Sequence, residues 1–463
     1  MPDTAHPGDT PDPDGRPGDT PDPAGPMRLI GRWDELSPDQ RQRAITRGLD
    51  KIFDPGLRRD IVALIEDVRE HGDAALVRAL KTFDGCAVDP AGLRVTEEEF
   101  AAARAAVSPA LLSAIRDGID HVRRFNEQIT ARGDWSFESE PGLTVGEKVT
   151  PIASAGLFVP SGKASYPSVL VQLATPAIVA GVPQIAVIVP PVPGSDGQVD
   201  PAVLVVAQEL GVTQVFRSNG PAGVAALAFG TETVPQVRKI VGPGSPAVAC
   251  AQVEVQRYGT VTTMLLGPSE SLIVADDSAD PRLLAADLLN EAEHGPDSSS
   301  VLVTDSEPLF AAAQAEVARQ LAELPEPRRG YAASSLGVNG GAILVRDLAQ
   351  AAEVANAYAP EHMQIAVRDE DAMLARLTNA GEILVGQWTP VSAANFIIGC
   401  PASLPTSGFA VVSGGITADA FRKRTAVARA DQRSLTRMAE SITAFTQHEG
   451  FPAHEAAVRI RLP

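Results

Sequence analysis

The chain of 463 residues has three cysteines, Cys86, Cys250 and Cys400, far apart and without a CxxC spacing. That scarcity excludes a disulfide framework and a cysteine zinc site, fits a reducing compartment, and leaves all three as structural residues. Basic residues are in deficit as well: 39 Lys and Arg stand against 58 Asp and Glu, a formal charge of −19. Such a balance lacks the clustered cations that bind nucleic acid or an anionic membrane surface, so a small-molecule ligand is expected. No uninterrupted apolar run reaches the roughly 18 residues of a membrane span, and the N-terminus lacks the basic and apolar regions of a secretory signal. A cytoplasmic protein is expected. What is present is an ordinary globular composition, 44% hydrophobic and 21% charged, long enough for two or more domains.

Residues 1–26 contain PGDTPDP twice and almost no large apolar side chain. Such a tract cannot offset its ordering entropy, so disorder is expected there, and Met27 is a possible alternative start. From 27 to 150 the pattern is that of a helical opening segment, with SPDQ supplying an N-cap at Ser37 and Ile61, Leu64, Ile65 and Val68 at helical spacing. It is expected to pack with the second of two lobes that follow. Short apolar runs at 156–159, 185–189, 214–216 and 239–241 alternate with alanine-rich helical stretches, which predicts a first Rossmann-like domain over 151–267. Runs at 272–275, 301–304, 342–345 and 383–385 predict a second over 268–406. The fold class is therefore α/β, two lobes with parallel sheets. Ligand-binding loops of such sheets are expected at the strands' C-terminal ends. The loops VPSGKASYPS, SNGPAG and VGPGS are rich in small residues, yet none is a GxGxxG fingerprint or a P-loop, so glycine spacing names no cofactor. The stretch 407–463 reads as a small helical tail, too short to fold alone, that docks on this subunit or on another.

Chemistry concentrates in two places. The helical pattern from Pro281 carries Glu291 and His294 into its last turn and is stopped by Gly295-Pro296. Residues three apart share a helix face, so both side chains can reach one ion, although a solvated helix end has the same pattern. The second place is Glu361-His362 in YAPEHMQI, at the entrance to a strand. A histidine titrates near neutral pH and can take an alcohol's proton, while a glutamate can activate water.

In order along the chain, GLFVP, GPSE, EAEHGPDS, APEH, SLPTSGF and EGFPAH resemble the histidinol dehydrogenase family, and the resemblance runs from about Met27 to the end. It implies an enzyme with one Zn2+ per subunit that oxidises an amino alcohol to a carboxylate through an aldehyde in two NAD-dependent steps, as in the conversion of L-histidinol to L-histidine in histidine biosynthesis. It further implies an intertwined homodimer whose C-terminal tail enters the partner's active site. By position, His362 would take the hydroxyl proton as hydride leaves, and Glu361 would activate the water that attacks the aldehyde. Ser269 of GPSE and Glu449 of the tail match substrate-contacting positions. Glu291, His294, Asn395 and His454 match the zinc ligands, which together with His362 also meet the substrate. Phe158, Ala222 and Ser245 match the residues that hold NAD.

The chain departs from the family's pattern at several of these positions. Where the family has Gln, His, Asp and His, Glu291 and Asn395 exchange carboxamide and carboxylate, so one negative charge and four N or O donors are kept. Where it has Tyr, Gln and Asn, Phe158 and Ala222 remove polar groups, each ordinary hydrogen bond lost weakening NAD by about 0.5–1.5 kcal/mol. Where it has Asn-His-Val before LPT, Pro401-Ala402-Ser403 change the pocket's shape and polarity. A substrate other than L-histidinol is therefore expected. Two readings stay open beside the leading one: a redox-inactive, metal-binding paralogue, and an enzyme acting on another small hydroxy compound.

Overall fold

The computed structural model describes residues 26–47, 52–161, 165–263 and 267–462. The leader expected to be disordered, 1–26, lies outside the described residues except for Pro26, and so do residues 162–164 of the first small-residue loop. In chain order the strands are β1 (Leu29–Arg32), β2 (Trp135–Glu140), β3 (Leu143–Pro151), β4 (Ala155–Phe158), β5 (Ile185–Val189), β6 (Val215–Arg217) and β7 (Lys239–Val241). They continue with β8 (Val261–Thr262), β9 (Glu270–Ala275), β10 (Ser299–Thr304), β11 (Gly341–Leu344), β12 (His362–Ala366), β13 (Glu382–Val385) and β14 (Arg422–Ala430).

The chain forms two compact units. Of the described residues, one comprises 26–47, 267–394 and 404–414, and is built on a parallel sheet in the order β1-β11-β10-β9-β12-β13. Successive strand residues face opposite sides, and β9 shows the consequence: Ile273 and Ala275 join a core with the helix Pro281–Ala292, while Leu272 and Val274 join one with the helix Leu348–Tyr358. Every residue of β9, β10 and β12 is buried, the signature of a sheet covered on both faces.

Of the described residues, the other unit comprises 52–161, 165–263, 395–403 and 415–462. Its five-stranded parallel sheet has the order β6-β5-β4-β7-β8. Helices Pro55–His71, Gly220–Phe229 and Pro246–Val255 cover one face, and Pro109–Thr130, Pro167–Val179 and Pro201–Glu209 the other. The expectation that 27–150 packs with the second lobe therefore holds only for its first residues. From 52 onward the apolar stripe Ile61, Ile65 and Val68 meets Val224 and Leu227 of the first lobe. An amphipathic stripe names no partner sheet, which is why pattern alone assigned it wrongly.

A three-stranded antiparallel sheet, β14-β3-β2, joins residues on either side of the first lobe. β14 pairs with β3 over nine positions, from Arg422↔Pro151 to Ala430↔Leu143, so the tail is tied to its own chain by a strand before it becomes helical. The helical reading of 27–150 and 407–463 did not anticipate these strands, because β2 and β14 are exposed almost throughout and show no buried face. Among the described residues no helix is long and apolar enough to cross a membrane.

Candidate active site

Asp280 caps the helix Pro281–Ala292 by accepting the Arg282 N–H at 2.9 Å. Leu284, Leu288 and Ala292 lie on its buried side, and Glu291, three residues beyond Leu288, falls on the same stripe. Its carboxylate is completely buried. Neither oxygen has a donor in hydrogen-bonding alignment; His294 Nδ1 lies 3.0 Å from Oε1, and the Ser269 hydroxyl stands beside it. An ionised carboxylate in such a place costs several kcal/mol unless a cation answers it. The Glu291 charge accordingly pushes His294 up to about 9.

The second part of the site comes from strand starts. Glu270, His362 and Glu382 are the first residues of β9, β12 and β13, so they line the N-terminal edge of the sheet and not the C-terminal edge expected from such folds. Helices of a parallel sheet run back against their strands, so this edge receives the C-terminal end of Pro281–Ala292. A helix C-terminus carries partial negative charge and favours cations. The edge is thus suited to a cation.

Ala359, at φ 49, ends the helix Leu348–Tyr358 and turns the chain into Pro360-Glu361-His362. Because Glu361 precedes β12, it escapes the strand alternation that would send it away from His362, and its Oε1 lies 3.9 Å from His362 Nε2. Its Oε2 accepts the Glu270 N–H at 3.1 Å. Glu270 in turn accepts the Ser407 N–H at 2.8 Å and pairs with Arg47 Nη2 at 2.6 Å. On the other side of the imidazole, the β12–β13 register sets Glu382 opposite His362, and His362 Nδ1 donates to Glu382 Oε1 over 2.6 Å.

One donor atom each from Glu291, Glu361 and His362 lie within 4.8 Å of one another. Burial raises the Glu361 carboxyl to about 8. Burial opposes the charge on His362, but Glu361, Glu382 and Glu291 outweigh it and push the ring up to about 10. Four buried acidic side chains, those of Glu270, Glu291, Glu361 and Glu382, thus stand together with Arg47, His294 and His362. The completely buried carboxylate of Glu291, whose oxygens have no aligned hydrogen-bond donor, fits a bound metal cation, with Glu291 and His294 able to serve as oxygen and nitrogen donors.

Of the residues singled out in the sequence, the structure thus gathers Ser269, Glu291, His294, Glu361 and His362 in one unit. The remaining ones belong to the other unit. Asn395 is half-buried in the turn Ala394–Ile398, while Glu449 and His454 are exposed, the first ending the helix Gln432–His448 and the second in the helix Pro452–Arg459. Phe158 and Ala222 are buried in the lobe's core, and Ser245 is exposed and caps Pro246–Val255. As placed, neither Phe158 nor Ala222 presents a side chain to a nucleotide. Sequence reasoning missed Arg47, Glu270 and Glu382. Glu382 stands just before the apolar run 383–385, and its pairing with His362 depends on a strand register that spacing does not reveal.

Comparison with known proteins finds related sequences and a related structure. Residues 52–462 match the family model for histidinol dehydrogenase. A "Histidinol dehydrogenase homolog 2" of Mesorhizobium japonicum is 43% identical over 85% of this chain and 89% of its own length. The histidinol dehydrogenase of Methanosarcina barkeri is 37% identical over 94% and 98%, respectively. The crystal structure of histidinol dehydrogenase from Elizabethkingia anophelis superposes with a TM-score of 0.88 at 29% identity, covering 94% of this chain and 98% of that one.

Proposed function

The chain belongs to the histidinol dehydrogenase family, whose members are NAD-dependent dehydrogenases, and on that premise we propose that it oxidises a small amino alcohol through the aldehyde to the carboxylate, with zinc bound. The observation that carries this reading is His362, a buried imidazole held between Glu382 and Glu361 with a donor atom of Glu291 within 4.8 Å. When bound, each NAD accepts one hydride released from the reacting carbon. Zinc would be held by Glu291 and His294, where it would supply Lewis-acid polarisation of the substrate oxygen.

In the first oxidation a C–H bond breaks, the hydroxyl proton passes to His362 Nε2, and the aldehyde forms. In the second, Glu361 takes a proton from the water that adds to the carbonyl, and a second hydride leaves to a second NAD. One alcohol, two NAD and one water thus give one carboxylate, two NADH and three protons. Glu270 assists by donating its N–H to Glu361 Oε2, and Ser269 and Glu449 are assigned to substrate binding.

NAD binding in this reading falls to main-chain groups at the C-terminal ends of β4–β7. There the Asn219 side chain turns to Asp84 at 3.1 Å and leaves the first N–H groups of Gly220–Phe229 without a side-chain cap. The substrate's ring end is where this chain differs. Ser403 is buried, and the Ala402 N–H points to Gln172 Oε1 at 3.3 Å, so no imidazole is offered there, which favours a substrate other than L-histidinol. A second reading, a metal-binding paralogue without redox activity, draws on the burial of Phe158 and Ala222. NADH formation from a panel of amino and hydroxy alcohols separates the two: turnover supports the enzyme, and no turnover with any of them supports the paralogue.

The tail helices expose Phe445, Phe451 and Ile460. A second copy of the chain is the proposed cover for them, which makes the protein a homodimer and Glu449 and His454 the tail's contribution to the site.

A further inference from the structure

Glu382 takes no proton and touches no substrate in the steps above, yet it makes one of the shortest side-chain contacts in the site. Its side chain is 6% exposed, that of His362 is 3% exposed, and 2.6 Å separates Oε1 from Nδ1. The approach is built into the sheet, since His362 and Glu382 are register partners at the starts of neighbouring parallel strands. The same junction is fixed a second time by the Glu382 N–H, which donates to the Glu361 carbonyl at 3.1 Å.

An ionised carboxylate only accepts hydrogen bonds, so the ring nitrogen facing it must carry the proton. In the neutral ring the lone pair is then left on Nε2, the nitrogen turned towards Glu361. A ring without this partner distributes its proton between Nδ1 and Nε2 and is free to rotate, and in either case the base is misplaced. We propose that Glu382 is a positioning residue that commits His362 to a single tautomer and ring orientation, with Nε2 as its basic nitrogen. The proposal rests on the base role assigned to His362 above.

The test uses zinc-loaded protein carrying 15N-labelled histidine, with the His362 signals identified by their loss in His362→Asn. In the wild type, the neutral His362 ring shows a protonated Nδ1 and a bare Nε2. In Glu382→Ala the two tautomers mix, kcat falls by about 10- to 100-fold, the usual loss when a histidine's outer partner is removed, and KM stays within about threefold. Glu382→Gln keeps an acceptor oxygen in the same volume; it restores the single tautomer and most of kcat, and it serves where the alanine variant does not fold. A mixed tautomer in the wild type overturns the proposal, as does an unchanged tautomer and kcat in Glu382→Ala, or a glutamine variant with wild-type kcat and mixed tautomers. The tautomer is read without substrate, so an inactive protein with a fixed His362 contradicts the dehydrogenase reading and leaves this one standing.

Discussion

Arg47 holds Glu270: its Nη2 lies 2.6 Å from the carboxylate while its guanidinium carbon sits 3.5 Å from the centroid of the Tyr358 ring. Both side chains are largely buried, 13% and 4% exposed, so the pair is shielded from water. Burial pushes the Glu270 carboxyl up, and Arg47 pulls against that shift directly behind Glu361.

Removing the cation alone should therefore be costly. Arg47→Met leaves Glu270 buried and unanswered and is expected to lower unfolding stability by about 3–5 kcal/mol. Adding Glu270→Gln should recover most of that loss, because the neutral amide needs no counter-charge. Urea denaturation of the two variants checks this; a double variant as unstable as the single one goes against it.

The helix that carries Glu291 depends on its first residue. Asp280→Ala should destabilise by about 1 kcal/mol, the ordinary worth of an N-cap. Hydrogen bonds from the Arg282 side chain and backbone lower the Asp280 carboxyl from 3.8 to about 2. A depressed carboxyl contributes stability that is fully present above its unfolded value and is lost as pH falls through the folded one. The difference between wild type and Asp280→Ala should accordingly be constant above pH about 4 and vanish towards pH about 2 in thermal melts.

Metal content reports on the exchanged donors. Glu291→Gln removes the buried charge and should lower zinc retained after dialysis. By the resemblance, Asn395→Asp returns the charge at the other exchanged position, so the double variant should regain zinc. A double variant no better than the single one contradicts the exchange.

The exposed tail predicts self-association. Sedimentation should show a dimer for the wild type and a shift to monomer for Phe445→Glu with Phe451→Glu, two residues 68% and 47% exposed. An unchanged dimer means that the contact lies elsewhere.

Much of the framework was legible in the sequence. The runs at 185–189 and 239–241 became β5 and β7, the Ser37 cap closes a full capping box with Gln40, and the helix stop after Glu291 stands where glycine and proline put it. These features depend on neighbours a few residues apart. Arg47 with Glu270 spans 223 positions, and Glu382 with His362 depends on how two parallel strands slide past one another. No spacing rule carries that information. The site's edge was also hidden, since the usual C-terminal location holds for phosphate-binding loops, whereas here a cation-seeking site uses strand starts and a helix end.

The central claim is that His362 is the base of an NAD-linked alcohol oxidation. The most direct measurement is NADH formation by zinc-loaded protein with NAD and a panel of amino and hydroxy alcohols, L-histidinol among them, for wild type and His362→Asn side by side. The account predicts two NADH per carboxylate formed from at least one alcohol, L-histidinol not being the best, and a loss of about 100-fold or more in the variant. No NADH from any alcohol, or equal rates with and without His362, would contradict it.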